Sequence, residues 1–440
     1  MLKITSILAA AGLLVSQLQP SARAEDPQAW ADAHLEELVT LYKHFHTHPE
    51  LSLREKETAE RLAEEWEAAG LEVTTGIGGH GVVGILENGD GPRIMVRTDL
   101  DALPVVEKTE LVYASTVKAP DSNGGETGVM HACGHDIHIT NTVGVARYMA
   151  AHKDRWSGTL MFIGQPAEER GAGAQKMLDD GLFTKFKKPD LAIALHCDHR
   201  LETGRVGISP GFILANVDSI DIEIFGRGGH GASPHTTIDP VVIAAHLIVD
   251  LQSIVAREIK PGEPAVITVG SIHGGTKHNI IGDSCKLELT VRSYKDETRK
   301  HLLAGIRRKA LAAAASAGAP EPKVLSTEGM PATFNDEQLT AKLEKTFRRV
   351  FGDKQVTSPP PTMGGEDFSL YYVVGKVPCC MFRLGTIDAR RLAGYERLKL
   401  EPPSLHSPLF YPDPEPTLRT GVIATCWGLL DLMPPAAAAK

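Results

Sequence analysis

Cys133 and His135 stand two residues apart in Met130-His131-Ala132-Cys133-Gly134-His135-Asp136, where a helical pattern begins. A thiolate and an imidazole at this spacing can ligate a soft or borderline divalent metal, and a thiolate can bridge two such ions. A catalytic metal needs three or more protein ligands, so other segments must supply the rest. Three predicted strands run into suitable groups. Residues 94–98 lead to Asp99 and Asp101, 159–164 to Glu168 and Glu169, and 191–195 to His196. His406 lies far along the chain.

The elements around these groups define the expected frame. Residues 29–69 are patterned as helix, broken at Thr47-His48-Pro49, and helical patterns at 137–152 and 172–178 lie between strand-like runs. Strands alternating with helices predict an α/β fold with a mixed or mostly parallel, helix-flanked sheet. Ligands collect beyond the carboxyl ends of such strands, where the candidate groups sit. After Pro210 the texture changes. Val217, Ile220, Ile222 and Ile224 alternate with Asp218, Asp221 and Glu223, the pattern of a half-exposed strand. A helix at 240–257, strands near 265–272 and 284–293, a helix at 297–317 and a short strand at 323–325 complete an α+β unit. This predicts a catalytic domain in two parts, 25–214 and 327–440, interrupted by an inserted lid and dimerisation domain at 215–326. The second part carries a helix at 337–351, a Pro-rich loop at 358–361, a strand at 377–384 and a helix at 418–432. Residues 434–440 are expected to fray.

With 440 residues, 42% hydrophobic and 23% charged, the chain has the composition of a soluble, two-domain globular protein. A net charge of -9 leaves no basic footprint for nucleic acid or an anionic membrane. Lys3, the apolar run 7–15 and Ala22-Arg23-Ala24 have the form of a signal peptide over 1–24. That run is too short for a membrane anchor, so the mature chain is expected in a periplasm or outside the cell. The six cysteines, Cys133, Cys197, Cys285, Cys379, Cys380 and Cys426, have no framework spacing, which leaves one or two disulfides open.

Several markers together resemble the M20 family of metallopeptidases and amidohydrolases, in the branch of hippurate, N-acyl-amino-acid and auxin-conjugate amidohydrolases. They are His48-Pro49-Glu50-Leu51, Arg97 to Pro104, Met130 to Asp136, Gln165 to Glu169, Gly226 to His235 and Met363 to Phe368. The resemblance implies hydrolysis of the amide of an N-acyl or N-aroyl amino acid, or of a small peptide. It makes Cys133, His135, Glu169, His196 and His406 the ligands of two divalent ions (zinc, manganese, cobalt or nickel). Cys133 would bridge, His135 and His196 would complete one ion, and Glu169 and His406 the other. Two-metal hydrolases hold their ions about 3.5–4 Å apart and clamp attacking and leaving oxygens between them. Glu168 matches the family's general base, and Asp99 the residue that orients a metal ligand. His230 matches a histidine that contacts the substrate carbonyl or carboxylate, often from the partner subunit of a homodimer. Asn279 matches a substrate-binding position, although Gly282 stands nearby where the family usually has Pro, and Glu366 matches a cleft position that binds substrate or contacts a group behind it.

Other readings use the same residues differently. A metal-independent cysteine hydrolase would take Cys133 as nucleophile and His135 as base, but a pair two apart on a turn seldom aligns for this. A catalytically inactive binding protein would not require Glu168. His44, His46 and His48 suggest a metal stripe, yet i, i+2 positions do not share a helix face, and a structural role is expected. Cys197-Asp198-His199 departs from the family pattern and is expected to form a loop. Asp101 is expected only to cap the turn that ends at Pro104.

Overall fold

The computed structural model describes residues 25–120 and 124–435. The expected signal segment, 1–24, lies outside the described residues, as does most of the Ala-rich end. The central sheet has eight strands, in the spatial order Glu72–Ile77, Gly81–Asn88, Gly158–Gln165, Arg93–Asp99, Leu191–Glu202, Cys379–Ile387, Val206–Gly207 and Val356–Thr357. The middle four run parallel, and the first two form an antiparallel hairpin along one edge. The sheet is therefore mixed with a parallel centre. The parallel strands read as almost continuous apolar runs because helices cover both their faces.

On one face Pro27–Thr47, Lys56–Ala68, His135–Ala151, Glu337–Phe351 and Pro414–Leu432 pack Leu38, Trp66, Val143, Phe347 and Val422 into one buried cluster. On the other face Met177, Leu182, Phe368 and Tyr371 form a second cluster with Met95 and Met161. Each such buried side chain contributes roughly 1.5–3 kcal/mol, which fixes the strand ends in space. Local signals set the helix boundaries. Asp26 accepts from Ala29 N at 2.9 Å with Pro27 in the first turn, and Asp336 accepts from Leu339 N at 2.9 Å.

A separate four-stranded antiparallel sheet is ordered Ala265–Gly274, Ser284–Ser293, Asn216–Phe225, Lys323–Met330. Its two central strands alternate strictly. Ile220, Ile222, Ile224, Cys285, Leu287, Leu289 and Val291 are buried under Pro240–Ser253 and Asp296–Ser316. Val217, Ser219, Thr290 and Arg292 have the opposite parity and line a cavity facing the central sheet. The expected boundary at 326 falls inside the last of these strands, Lys323–Met330.

One local expectation is corrected, and one open point is decided. Cys197-Asp198-His199 is not a loop, because the strand continues to Glu202 in parallel register with Cys379–Ile387. Asp198 is held there by Arg200 at 2.9 Å and Arg383 at 3.6 Å. The six cysteines are all buried and unpaired, so no disulfide forms.

Candidate metal centre and its cavity

Cys133 and His135 are placed by a turn that only glycine accommodates well. Gly134 has φ +83°, and a Cβ there would lie 2.8 Å from Cys197 Sγ. The helix His135–Ala151 starts at this turn, so thiol and imidazole leave its N-terminal end together. His135 Nδ1 donates to the Asp101 carbonyl at 2.7 Å, which aims Nε2 into the site. His196 Nδ1 donates to the Cys197 carbonyl at 2.8 Å, and its Nε2 lies 3.7 Å from Cys133 Sγ. Glu168 and Glu169 follow the strand Gly158–Gln165 through Ala167, whose φ of +51° turns the chain sharply. His406 sits at φ +68° on a loop tied down by its own N–H, which donates to the Ala132 carbonyl at 2.8 Å. Its Nε2 lies 3.4 Å from Glu169 Oε1.

Five residues remote in sequence thus converge. The ligand atoms of Cys133, His135 and His196 all lie within 4.8 Å of one another, and so do those of Cys133, Glu169 and His406. The two groups share only Cys133. His135 Nε2 and Glu169 Oε1 are buried and have no hydrogen-bond partner. A buried polar atom without a partner costs about 1–3 kcal/mol, so both atoms are suited to a cation. One thiol, three imidazole nitrogens and a carboxylate, in two groups around a common sulfur, fit a pair of divalent ions.

The electrostatics agree with that donor set. Burial first, then Glu169 and Glu168, pushes the Cys133 thiol well above its ordinary range. Burial raises Glu169 to about 7 against the pull of His135. Glu168 is raised well above the usual carboxyl range by burial, then by Glu366 and Glu169. Burial opposes protonation of His135, yet Asp99, Asp101 and Glu169 lift it to about 10. Protons here hold the place of positive charge, and cation binding would release them. A raised thiol is the reverse of the activated thiolate that a cysteine hydrolase needs.

Behind the ligands lies a buried ionic network. The Arg97 side chain is fully buried and donates to Asp99 Oδ2 at 2.6 Å, Glu366 Oε1 at 2.8 Å, Gln165 Oε1 at 3.1 Å and Asp367 Oδ1 at 3.2 Å. Glu168, Glu366 and Asp367 lie within 4.8 Å of one another on its far side. Glu366, expected to contact substrate or a group behind the site, takes the second of these places. It is only 1% exposed and braces the wall behind Glu168, because Arg97 requires buried acidic partners.

Asp99 is corrected in its partner. Its Oδ1 accepts from Nδ1 of His138 at 2.7 Å, and His138 Nε2 accepts from Cys197 N at 2.9 Å, which supports the strand next to His196. Asp99 lies only within 3.7 Å of His135 Nε2. Asp101 supplies the carbonyl that orients His135, and its carboxylate accepts from Glu168 N at 3.1 Å, Glu169 N at 3.0 Å and Ser52 Oγ at 2.6 Å. It therefore does much more than cap a turn. Its position two residues after Asp99, beyond the same strand, was the available signal.

The centre opens into a cavity of about 640 Å³ lined by Cys133, Glu168, Glu169, His196 and His406, with Arg292 on the opposite wall. Arg292 donates to the Met363 carbonyl at 2.9 Å and to Thr290 Oγ1 at 3.2 Å. Among the described residues no carboxylate lies within ion-pair distance of it, and burial lowers its pKa. Nothing short of its place in a strand alternating toward the cavity marks Arg292 in the sequence. His230 and Asn279 are not among the residues lining this cavity. They sit together on a two-stranded ribbon formed by Gly229–His230 and Ile280–Ile281, where Gly231 N donates to the Asn279 carbonyl at 2.8 Å. The exposed ribbon follows the strand Asn216–Phe225 and precedes the strand Ser284–Ser293. His46 is no metal ligand either: its ring is bonded to Asp136 and Glu107, while His44 and His48 stack on each other.

Comparison with known proteins agrees with this geometry. Residues 95–401 match the model of peptidase family M20/M25/M40. A Synechocystis sp. protein is 38% identical over 89% of this chain and 95% of its own length. The N-acetyl-L-cysteine deacetylase of Bacillus subtilis is 36% identical over 76% of this chain and 77% of its own. A solved structure of a Bacillus subtilis dinuclear metal-binding peptidase of the M20 family superposes with a TM-score of 0.75 at 29% identity, covering 91% of this chain and 99% of that one. With residues 95–401 matching the family model and relatives 38% and 36% identical over most of its length, the chain belongs to the M20 peptidase family.

Proposed function

We propose that the chain is a metal-dependent amidohydrolase that cleaves N-acyl amino acids or small peptides to a carboxylate and a free amine. The observation that carries this reading is the pair of donor groups sharing Cys133 on the floor of a cavity whose opposite wall bears Arg292. In this reading Cys133, His135 and His196 hold one divalent ion, and Cys133, Glu169 and His406 hold the other. Zinc, manganese, cobalt and nickel all suit the donor set. When bound, the ions polarise the amide carbonyl and acidify a water in the cavity.

The protein's own groups do the rest. Glu168, whose carboxyl group reaches the cavity, takes a proton from the attacking water and returns it to the leaving amine. Its raised proton affinity suits the second half of that exchange. Arg97 holds Glu366 and Asp367 behind it, and the Asp101 carboxylate fixes the backbone of Glu168 and Glu169. Arg292, which has no acidic partner among the described residues, receives the α-carboxylate of the substrate and so positions its amide over the floor. His230 and Asn279 reach the substrate by closure of the inserted unit or from a second copy.

A homodimer is supported by the inserted unit. Val241, Val242 and Val249 are exposed on the helix Pro240–Ser253, and Ile272 is exposed on the neighbouring edge strand. This helix with its extension to Glu258 is also long and apolar enough to cross a membrane by length and composition, but it packs on the sheet through Ile243, Leu247 and Leu251. Export is supported by the signal-like pattern of residues 1–24. The direct test is hydrolysis of acyl amino acids and dipeptides by metal-reconstituted protein. Turnover should stop with a chelator and return with Zn²⁺, Mn²⁺ or Co²⁺. Undiminished turnover by the chelated enzyme would contradict the proposal.

A further inference from the structure

The metal cavity has a neighbour. A second cavity, of about 550 Å³, lies on the other side of Glu169 and Arg170, which line both. Its remaining walls carry the apolar Leu51, Ala102, Leu103, Pro104 and Pro120 beside Ser52, Arg54 and Thr127. These walls are held by backbone pairing. Leu51 bridges Ala102, Leu103 bridges Met130, and Ala102 N donates to the Glu50 carbonyl at 2.7 Å. The cavity is therefore formed before any substrate arrives.

Its polar groups are already engaged. The Ser52 hydroxyl donates to Asp101 Oδ2 at 2.6 Å, and that of Thr127 is directed at the Pro104 carbonyl at 3.4 Å. Its two cations, Arg54 and Arg170, are exposed. The metal cavity, by comparison, carries the half-buried Arg292, which donates to Thr290 Oγ1 at 3.2 Å. Glu169 and Arg170 are the lining residues that the two cavities share, and a substrate anchored by its carboxylate at Arg292 with its amide at the Cys133 floor would have to pass them to place its acyl group in the second cavity.

Resting on the amidohydrolase reading above, we propose that this second cavity is the acyl subsite and selects extended apolar acyl groups, medium-chain or aryl-alkanoyl, over acetyl. Its volume falls within the range of about 300–1,000 Å³ usual for small-molecule sites, far more than a methyl group fills. Apolar contact made there by the acyl chain, and absent for acetyl, strengthens transition-state binding with each added methylene.

The test compares kcat/KM of the metal-loaded wild-type enzyme on one amino acid carrying N-acetyl, N-octanoyl, N-phenylacetyl or N-succinyl groups. The octanoyl and phenylacetyl substrates should exceed acetyl by about 100-fold or more. Thr127→Trp, which projects a ring into the cavity, should cut that ratio by about 10-fold or more, and Leu103→Ala should cut it for octanoyl. The ratio isolates the subsite, because general damage to a variant lowers all substrates alike. A flat series or an acetyl preference would overturn the subsite while leaving the amidohydrolase reading intact. A succinyl preference abolished by Arg54→Ala would make the cavity an anion site and overturn its apolar assignment. No turnover of any of the four would overturn the amidohydrolase reading itself, and the subsite with it.

Discussion

Replacing His46 by Gln should destabilise the protein in neutral and acidic solution and matter little in alkali. The His46 side chain is only 1% exposed, and its Nδ1 donates to Asp136 at 2.7 Å while Nε2 donates to Glu107 at 3.2 Å. Burial alone would lower its pKa, but the two carboxylates outweigh it and raise the value from 6.5 to about 9. At about 1.36 kcal/mol per pH unit, the charged ring contributes roughly 3 kcal/mol. A group whose folded pKa lies above its unfolded value stabilises fully below the unfolded value, here near 6.5. That contribution is lost as the pH rises through about 9. Denaturant unfolding of the metal-loaded wild type and His46→Gln at pH 6, 8 and 10 measures the gap directly. A gap of roughly 3 kcal/mol at pH 6 that mostly closes by pH 10 is expected. A gap independent of pH would show that the ring acts by shape and hydrogen bonding, and the charge argument would be wrong. Asp136 adjoins the candidate ligand His135, so this pair also ties the first helix to the metal-binding turn.

Three further outcomes follow from the site. Glu168→Gln should lower kcat by about 10²–10⁴-fold with metal content unchanged, read by steady-state kinetics beside elemental analysis. Arg292→Ala should raise KM by about 10–100-fold for substrates with a free α-carboxylate, and by much less for their carboxamides, as fits the loss of a charge-assisted hydrogen bond. Gly134→Ala should cost about 2 kcal/mol or more in denaturant unfolding, since its φ of +83° and the approach of Cys197 Sγ to 2.8 Å penalise the same added Cβ. An unchanged midpoint would show that the turn relaxes freely.

The candidate ligands were assigned from the family resemblance; local patterns placed Cys133 and His135 at a helix start and Glu169 just beyond a strand, whereas His196 lies within the strand Leu191–Glu202 and His406 on a loop. The strand near 159–164 and the helix near 137–152 lie within a few residues of the observed Gly158–Gln165 and His135–Ala151. The edge strand Glu72–Ile77 and the helix Ala389–Leu398 escaped notice, the former because half its residues are exposed and its pattern is weak. Hydrogen-bond partners were much less legible. Asp99 and Asp101 are equivalent in sequence, and only the path of the chain decides which carbonyl meets His135 and which carboxylate meets His138. Glu366 read as a cleft residue because the burial of Arg97 beneath it depends on three segments meeting, which no local pattern encodes. Arg292 lies 159 positions after Cys133 and reaches the same cavity only because the inserted sheet turns the face that carries Val217, Ser219, Thr290 and Arg292 toward it.

Counting metal ions in purified, reconstituted protein tests the shared-thiolate centre most directly. Elemental analysis of gel-filtered wild type should give two divalent ions per chain. His406→Ala should retain one, and Cys133→Ala should lose both, because each donor group includes that sulfur. Two ions retained by a folded Cys133→Ala variant, or one ion per wild-type chain under saturating metal, would contradict the account.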